Sequence, residues 1–244
     1  MPSDLPFGLG ARPDDPDSHD HPYRFARLVG AATEARIDNR ALFDGIPIFD
    51  QGKEGACVGM GMATILSMHY QTLLSPRWMY EEAKKRDEWA GEAYSGTSAR
   101  GGLDAARHVG DCSWAHWPFR PFISSGLLPG AAENAALHTL PGYERLNNFQ
   151  EVLHAIATAG YCVATVNVHT GWIKPTRKHH IRYSPRYRTR GYHFVIVCGK
   201  DDKPGYFLIR NSWGPDWGDK GYAWLKYDDW FVNMSDVWLP TFDA

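Results

Sequence analysis

The sequence has no run approaching the roughly 18 consecutive apolar residues that a membrane-spanning helix needs. Its opening, M-P-S-D-L-P-F-G-L-G, has no basic stretch followed by an apolar one, so no secretory signal is read there. The default expectation is a cytoplasmic setting, with signal-independent export left open. Cysteine is sparse: the four, at 57, 112, 162 and 198, form no C-x-x-C pair and no dense framework. That excludes a redox dithiol and a stapled secreted scaffold and fits a reducing compartment. Charge of one sign is not in excess, with 26 Lys+Arg against 28 Asp+Glu. A globally basic nucleic-acid binder and an acidic disordered chain are both disfavoured. There is no internal repeat. What remains is 244 residues, 43% of them hydrophobic, enough for one large domain or two lobes.

Residues 1–22 carry Asp4, Asp14, Asp15, Asp17 and Asp20 against Arg12 alone, a net charge of -4, and are broken by five prolines. They read as part of an irregular extension over 1–36, with order starting near residues 23–28 or later. From Cys57 to Leu74 the chain is apolar almost all round, which predicts a central buried helix. Ser75-Pro76 has the N-cap and first-turn pattern of a second helix, through Glu82 and Lys85, and residues 103–109 read as a third, stopped at Gly110. The second half changes character. A short helix over 149–158 precedes strand-like segments at 161–168, 193–199, 206–211 and 222–227. A helical first lobe and an antiparallel β second lobe predict an α+β protein with a cleft between them.

Three segments concentrate the chemistry. Gln51-Gly-Lys-Glu-Gly-Ala-Cys57 opens the buried helix, and Gly191-Tyr-His193-Phe-Val-Ile-Val places a histidine on a β run. Asn211-Ser-Trp-Gly-Pro-Asp-Trp-Gly-Asp-Lys-Gly-Tyr222 is the third. A thiol at a helix N-terminus sits at the positive end of the dipole, which favours thiolate. An imidazole from the other lobe would take and return the proton, with a side-chain amide fixing its tautomer. A glutamine just upstream and the cysteine's own N–H could both donate to a developing oxyanion.

These motifs, Q-G-x-x-G-x-C, G-x-H-x-V-x-V and N-S-W-G-x-x-W-G-x-x-G-Y, resemble the papain-like cysteine peptidases. Among these the disulfide-poor bacterial type, with its upstream D-x-R (here Asp38-Asn-Arg40), is nearest in pattern. The resemblance runs from about Asp38 to about Trp238. It implies a two-lobe α+β fold over 37–244, with a helical lobe (about 51–145) against an antiparallel β-barrel-like lobe (about 146–244). It implies a hydrolase, a thiol protease acting on peptide or protein substrates, with no cofactor and no metal. Position by position, Cys57 matches the nucleophile, His193 the general base and acid, Asn211 the orienting amide and Gln51 the oxyanion donor. Trp213 matches the indole that shields the His–Asn hydrogen bond, and Gly96-Thr97 the stretch that pairs its backbone with an extended substrate. Glu54 stands where secreted members have a cysteine. Val58 replaces a bulky tryptophan and Thr97 a glycine.

Other residues have plainer readings. Cys162 and Cys198 lie on predicted strands as core fillers. Cys112 and His116 have ligand-like spacing but no second ligand pair, so zinc is not expected. Two rival functions use the same residues: amide or acyl transfer through the same Cys-His-Asn site, and a catalytically silent peptide-binding module. Residues 172–192 carry Lys174, Arg177, Lys178, Arg182, Arg186, Arg188 and Arg190 and no acid. This basic loop is expected to recruit an acidic substrate, an anionic partner, or the chain's own leader. In the last case residues 1–30 lie over the cleft and restrain activity. No membrane partner is expected, and nucleic acid is disfavoured.

Overall fold

The computed structural model describes residues 5–23, 34–89, 91 and 95–242. The predicted central helix is α1 (Cys57–Tyr70), buried continuously from Cys57 to Ser67. Helix α2 (Pro76–Lys84) starts where Ser75 Oγ accepts from the Trp78 N–H at 3.0 Å and Pro76 takes the first turn. Helix α3 (Ala99–His108) starts four residues earlier than its apolar pattern, because Ser98 caps the Gly101 N–H at 3.1 Å. Close approach explains the glycines: a Cβ on Gly59 would lie 2.6 Å from the Pro76 carbonyl, and one on Gly61 2.4 Å from the Phe194 ring. These contacts seat α1 against α2 on one side and the sheet on the other.

Among the described residues the strands form one nine-stranded sheet, to which the first half contributes three short strands. Its strands are β1 (Ala11–Arg12), β2 (Arg36–Asp38), β3 (Thr97–Ser98), β4 (Gly142–Arg145), β5 (Cys162–His169), β6 (Thr189–Asp201), β7 (Tyr206–Arg210), β8 (Tyr222–Lys226) and β9 (Met234–Thr241). Helices α4 (Ala131–Ala135), α5 (Phe149–Thr158) and α6 (Tyr227–Asn233) complete the fold. The long strand β6 is central, pairing with β1 at its start, β5 along its length, and β2 and β7 toward its end. The α+β class holds, but the β lobe is not a closed barrel. Edges β4 and β8 do not pair: β4 takes a bridge from Pro22, and β8 one from His180.

The leader departs from the irregular extension read in the sequence. Order starts well before residue 23: β1 pairs in parallel with β3 and antiparallel with β6, joining the two lobes. Residues 24–28, where order was expected to begin, lie outside the described residues. Farther along, the Arg145 N–H donates to the His21 carbonyl at 2.8 Å, and the Tyr23 N–H to the Arg145 carbonyl at 3.0 Å. Prolines exclude helix but not an edge strand, and the body supplies the missing partners.

Candidate active site

Cys57 is the first residue of α1, a helix whose preceding residue, Ala56, provides no side-chain cap. The backbone N–H groups of Val58, in its own first turn, and of Phe194, the residue after His193, favour its charged form. Strand β6, which carries His193, packs against the helix that Cys57 opens. His193 Nε2 donates to Asn211 Oδ1 at 2.6 Å, and that oxygen also accepts the Ser212 N–H at 2.8 Å. With Nε2 carrying the hydrogen, Nδ1 is the basic nitrogen, and it is buried without a partner. Trp213 stacks on the imidazole, with ring centroids 4.6 Å apart. Gln51 is held by its ends: Ser212 Oγ donates to Oε1 at 2.7 Å, while Nε2 donates to the Glu54 carbonyl at 2.7 Å and to the Gly8 carbonyl at 3.2 Å.

Gly8 belongs to the leader. Residues 5–12 fill the groove over these groups. The Gly8 N–H donates to the Gly52 carbonyl at 2.8 Å, and the Thr97 N–H to the Gly10 carbonyl at 2.9 Å. Phe7 also stacks on Trp213, with centroids 4.5 Å apart and planes at 4°. The Gly10 and Ala11 backbone N–H groups of the leader also favour the charged form of the Cys57 thiol. The walls are tight. A Cβ on Gly8 would lie 2.2 Å from the Glu54 carbonyl, and one on Gly10 2.2 Å from that of Gly55. Thr97 pairs its backbone with the leader at Gly10 and Ala11.

Covering the groove changes the electrostatics. Cys57 and His193 are both 0% exposed. Burial pushes the Cys57 thiol up despite those backbone N–H groups. Burial also lowers His193 to about 4, against the bond to Asn211 that supports its charge. At neutral pH the covered pair is thiol and neutral imidazole.

The leader's acids do not go to the basic loop, correcting that expectation for the described residues. Asp20 accepts from Arg100 Nη2 at 3.0 Å and Arg145 Nη1 at 2.9 Å, and the Arg100 N–H donates to Asp14 Oδ2 at 2.7 Å. Sequence reasoning missed these two arginines, Ser212 as the brace of Gln51, and the glycines of F-G-L-G. Small residues spaced for a narrow groove were the legible signal among them. Glu54, at the position of the absent cysteine, is tied to α2 by a buried bidentate pair, with both Arg77 terminal nitrogens at 2.7 Å. The remaining cysteines, 112, 162 and 198, are free and buried.

The α+β fold, with a cysteine heading the central helix and a histidine–asparagine pair on the β side, is papain-like. The comparisons agree. Residues 131–237 match the model of the papain family cysteine proteases. The fold is similar to that of xylellain, a cysteine protease from Xylella fastidiosa, with a TM-score of 0.85, 23% identity and coverage of 98% of each chain. It is also similar to procathepsin B S9 from Trypanosoma congolense, with a TM-score of 0.75, 16% identity and coverage of 96% of this chain and 85% of that one. Among curated proteins, the oryzain beta chain of Oryza sativa subsp. japonica is 32% identical over 98 residues, 38% of this chain. Chymopapain of Carica papaya is 50% identical over 32 residues, 13% of this chain. These matches span 20% and 9% of the two relatives' own lengths.

Proposed function

We propose that the chain is a cysteine peptidase, held latent in this structure by residues 5–20. The observation that carries the reading is a peptide in extended conformation lying across Cys57, paired with Thr97 and Tyr192 and with one carbonyl on the Gln51 amide. A groove that accepts this peptide is shaped for a substrate backbone.

In the open enzyme, His193 Nδ1 takes the Cys57 proton and the sulfur attacks a substrate carbonyl. The oxyanion is held by Gln51 Nε2–H and the Cys57 backbone N–H. The imidazolium then gives its proton to the leaving amine as the C–N bond breaks, leaving a thioester. Water, deprotonated by His193, attacks the thioester, releasing the acid and restoring the thiol. Asn211 holds the ring with Nδ1 toward the sulfur throughout. The basic loop 172–192, whose seven cations make no ion pair among the described residues, serves to recruit acidic stretches of substrate.

Turnover of a peptide library by the Gly10→Ala chain, with and without Cys57→Ser, tests the activity. Cleavage abolished by the serine substitution supports it, and cleavage that survives the substitution, or none in either chain, refutes it. Product masses with added amine separate hydrolysis from acyl transfer.

A further inference from the structure

The leader is fastened by an unusual charge arrangement. Where it leaves β3, the Asp14 N–H donates to Asp236 Oδ2 at 3.1 Å, so two carboxyl groups, 4% and 2% exposed, are brought together by docking. Asp236, on β9, also accepts from Trp238 Nε1 at 3.0 Å and faces Thr165 of β5. On α3 and its cap, Arg100 and Ser98 face Asp14; on β4, Arg145 Nη2 donates to the Asp14 carbonyl at 3.0 Å. The leader adds Asp20, and Arg100 also holds Glu88 at 3.0 Å. Two buried carboxyl groups and the largely buried Asp20, with the half-exposed Glu88 beside them, thus share two guanidinium groups.

We propose that Asp14 and Asp236 form a proton-dependent latch: the docked leader takes up a proton that the released leader gives back, so the cleft is held shut more tightly toward acid. This rests on the reading of the leader as a restraint. Burial and the neighbouring carboxylate raise Asp14 to about 7, and burial raises Asp236 to about 6. A group raised on docking contributes fully below its free value near 4, and the contribution is lost as pH climbs through its docked value. His193 works in the opposite sense, since burying it neutral opposes docking as pH falls toward 4. The carboxyl contribution is therefore isolated by a ratio of variants.

The experiment is hydrogen–deuterium exchange of residues 5–20 in the full-length chain from pH 6 to pH 8, corrected with the free peptide of the same residues. Protection in the wild type divided by that in Asp14→Asn is expected to fall about tenfold over this range, as one proton bound at about 7 requires. Asp236→Asn is expected to flatten the wild-type slope in the same way. A ratio that stays constant, or an unchanged slope in both variants, overturns the latch. Asp14 lies in the leader, so its substitution leaves the body's core intact. Exchange reads docking and not turnover: a tenfold slope in a chain whose turnover ignores leader removal supports the latch and refutes the restraint.

Discussion

Replacing Gly10 by alanine is expected to open the enzyme without touching a catalytic group. The added Cβ would lie 2.2 Å from the Gly55 carbonyl oxygen and 2.4 Å from the Gly55 Cα, both backbone atoms that cannot rotate away. Gly10 has no left-handed φ, so the penalty comes from crowding alone. Inserting a methyl into packed surroundings costs about 1–3 kcal/mol. That weakens leader docking by a factor of roughly 5–150. Gly8→Ala meets the same obstacle at the Glu54 carbonyl, 2.2 Å away, and the double variant should approach full release. The assay is the initial rate of fluorogenic peptide hydrolysis, with circular dichroism to confirm an unchanged fold. Rates are expected to rise in the order wild type, Gly10→Ala, double variant. Equal rates in all three, with fold intact, would refute the claim that the leader shuts the groove.

In that opened background, Gln51→Ala should lower kcat by about 10²–10³, the usual cost of one oxyanion donor; a loss below threefold would remove Gln51 from the mechanism. Arg77→Met leaves the Glu54 carboxylate buried without its partner and should destabilise the fold by about 3–5 kcal/mol, measured by urea unfolding. Glu54→Gln with Arg77→Met should recover part of that loss, and an equal or larger loss in the pair would contradict the ion-pair account. In the wild-type chain, NMR of the His193 ring should show it neutral at pH 6, since its burial holds it near 4. The ring should titrate at higher pH once the double glycine variant admits water.

The candidate catalytic groups were legible because each sits in a short motif whose chemistry is local. The Cys57 helix start, the His193 strand and the Asn211–Trp213 turn each declare themselves within a dozen residues. Strand β9 was not legible, since Asp236 and Pro240 interrupt its apolar run. Only the fold explains a buried aspartate there. The leader's path was misread for a related reason. Its five acids suggested the densest run of cations, residues 172–192. Docking was decided instead by free strand edges at Thr97 and Tyr192 and by two arginines, Arg100 and Arg145, that sequence separation gave no reason to pair. Long-range charge chooses weakly; backbone pairing and buried guanidinium contacts choose strongly.

The most direct test is the alkylation rate of each cysteine by iodoacetamide at pH 6.5, followed by peptide mass spectrometry in the Gly8→Ala, Gly10→Ala chain. Cys57 should react at least a hundredfold faster than Cys112, Cys162 and Cys198, and His193→Ala should erase the difference. Four equally slow thiols, or a fast Cys57 indifferent to His193, would contradict the account.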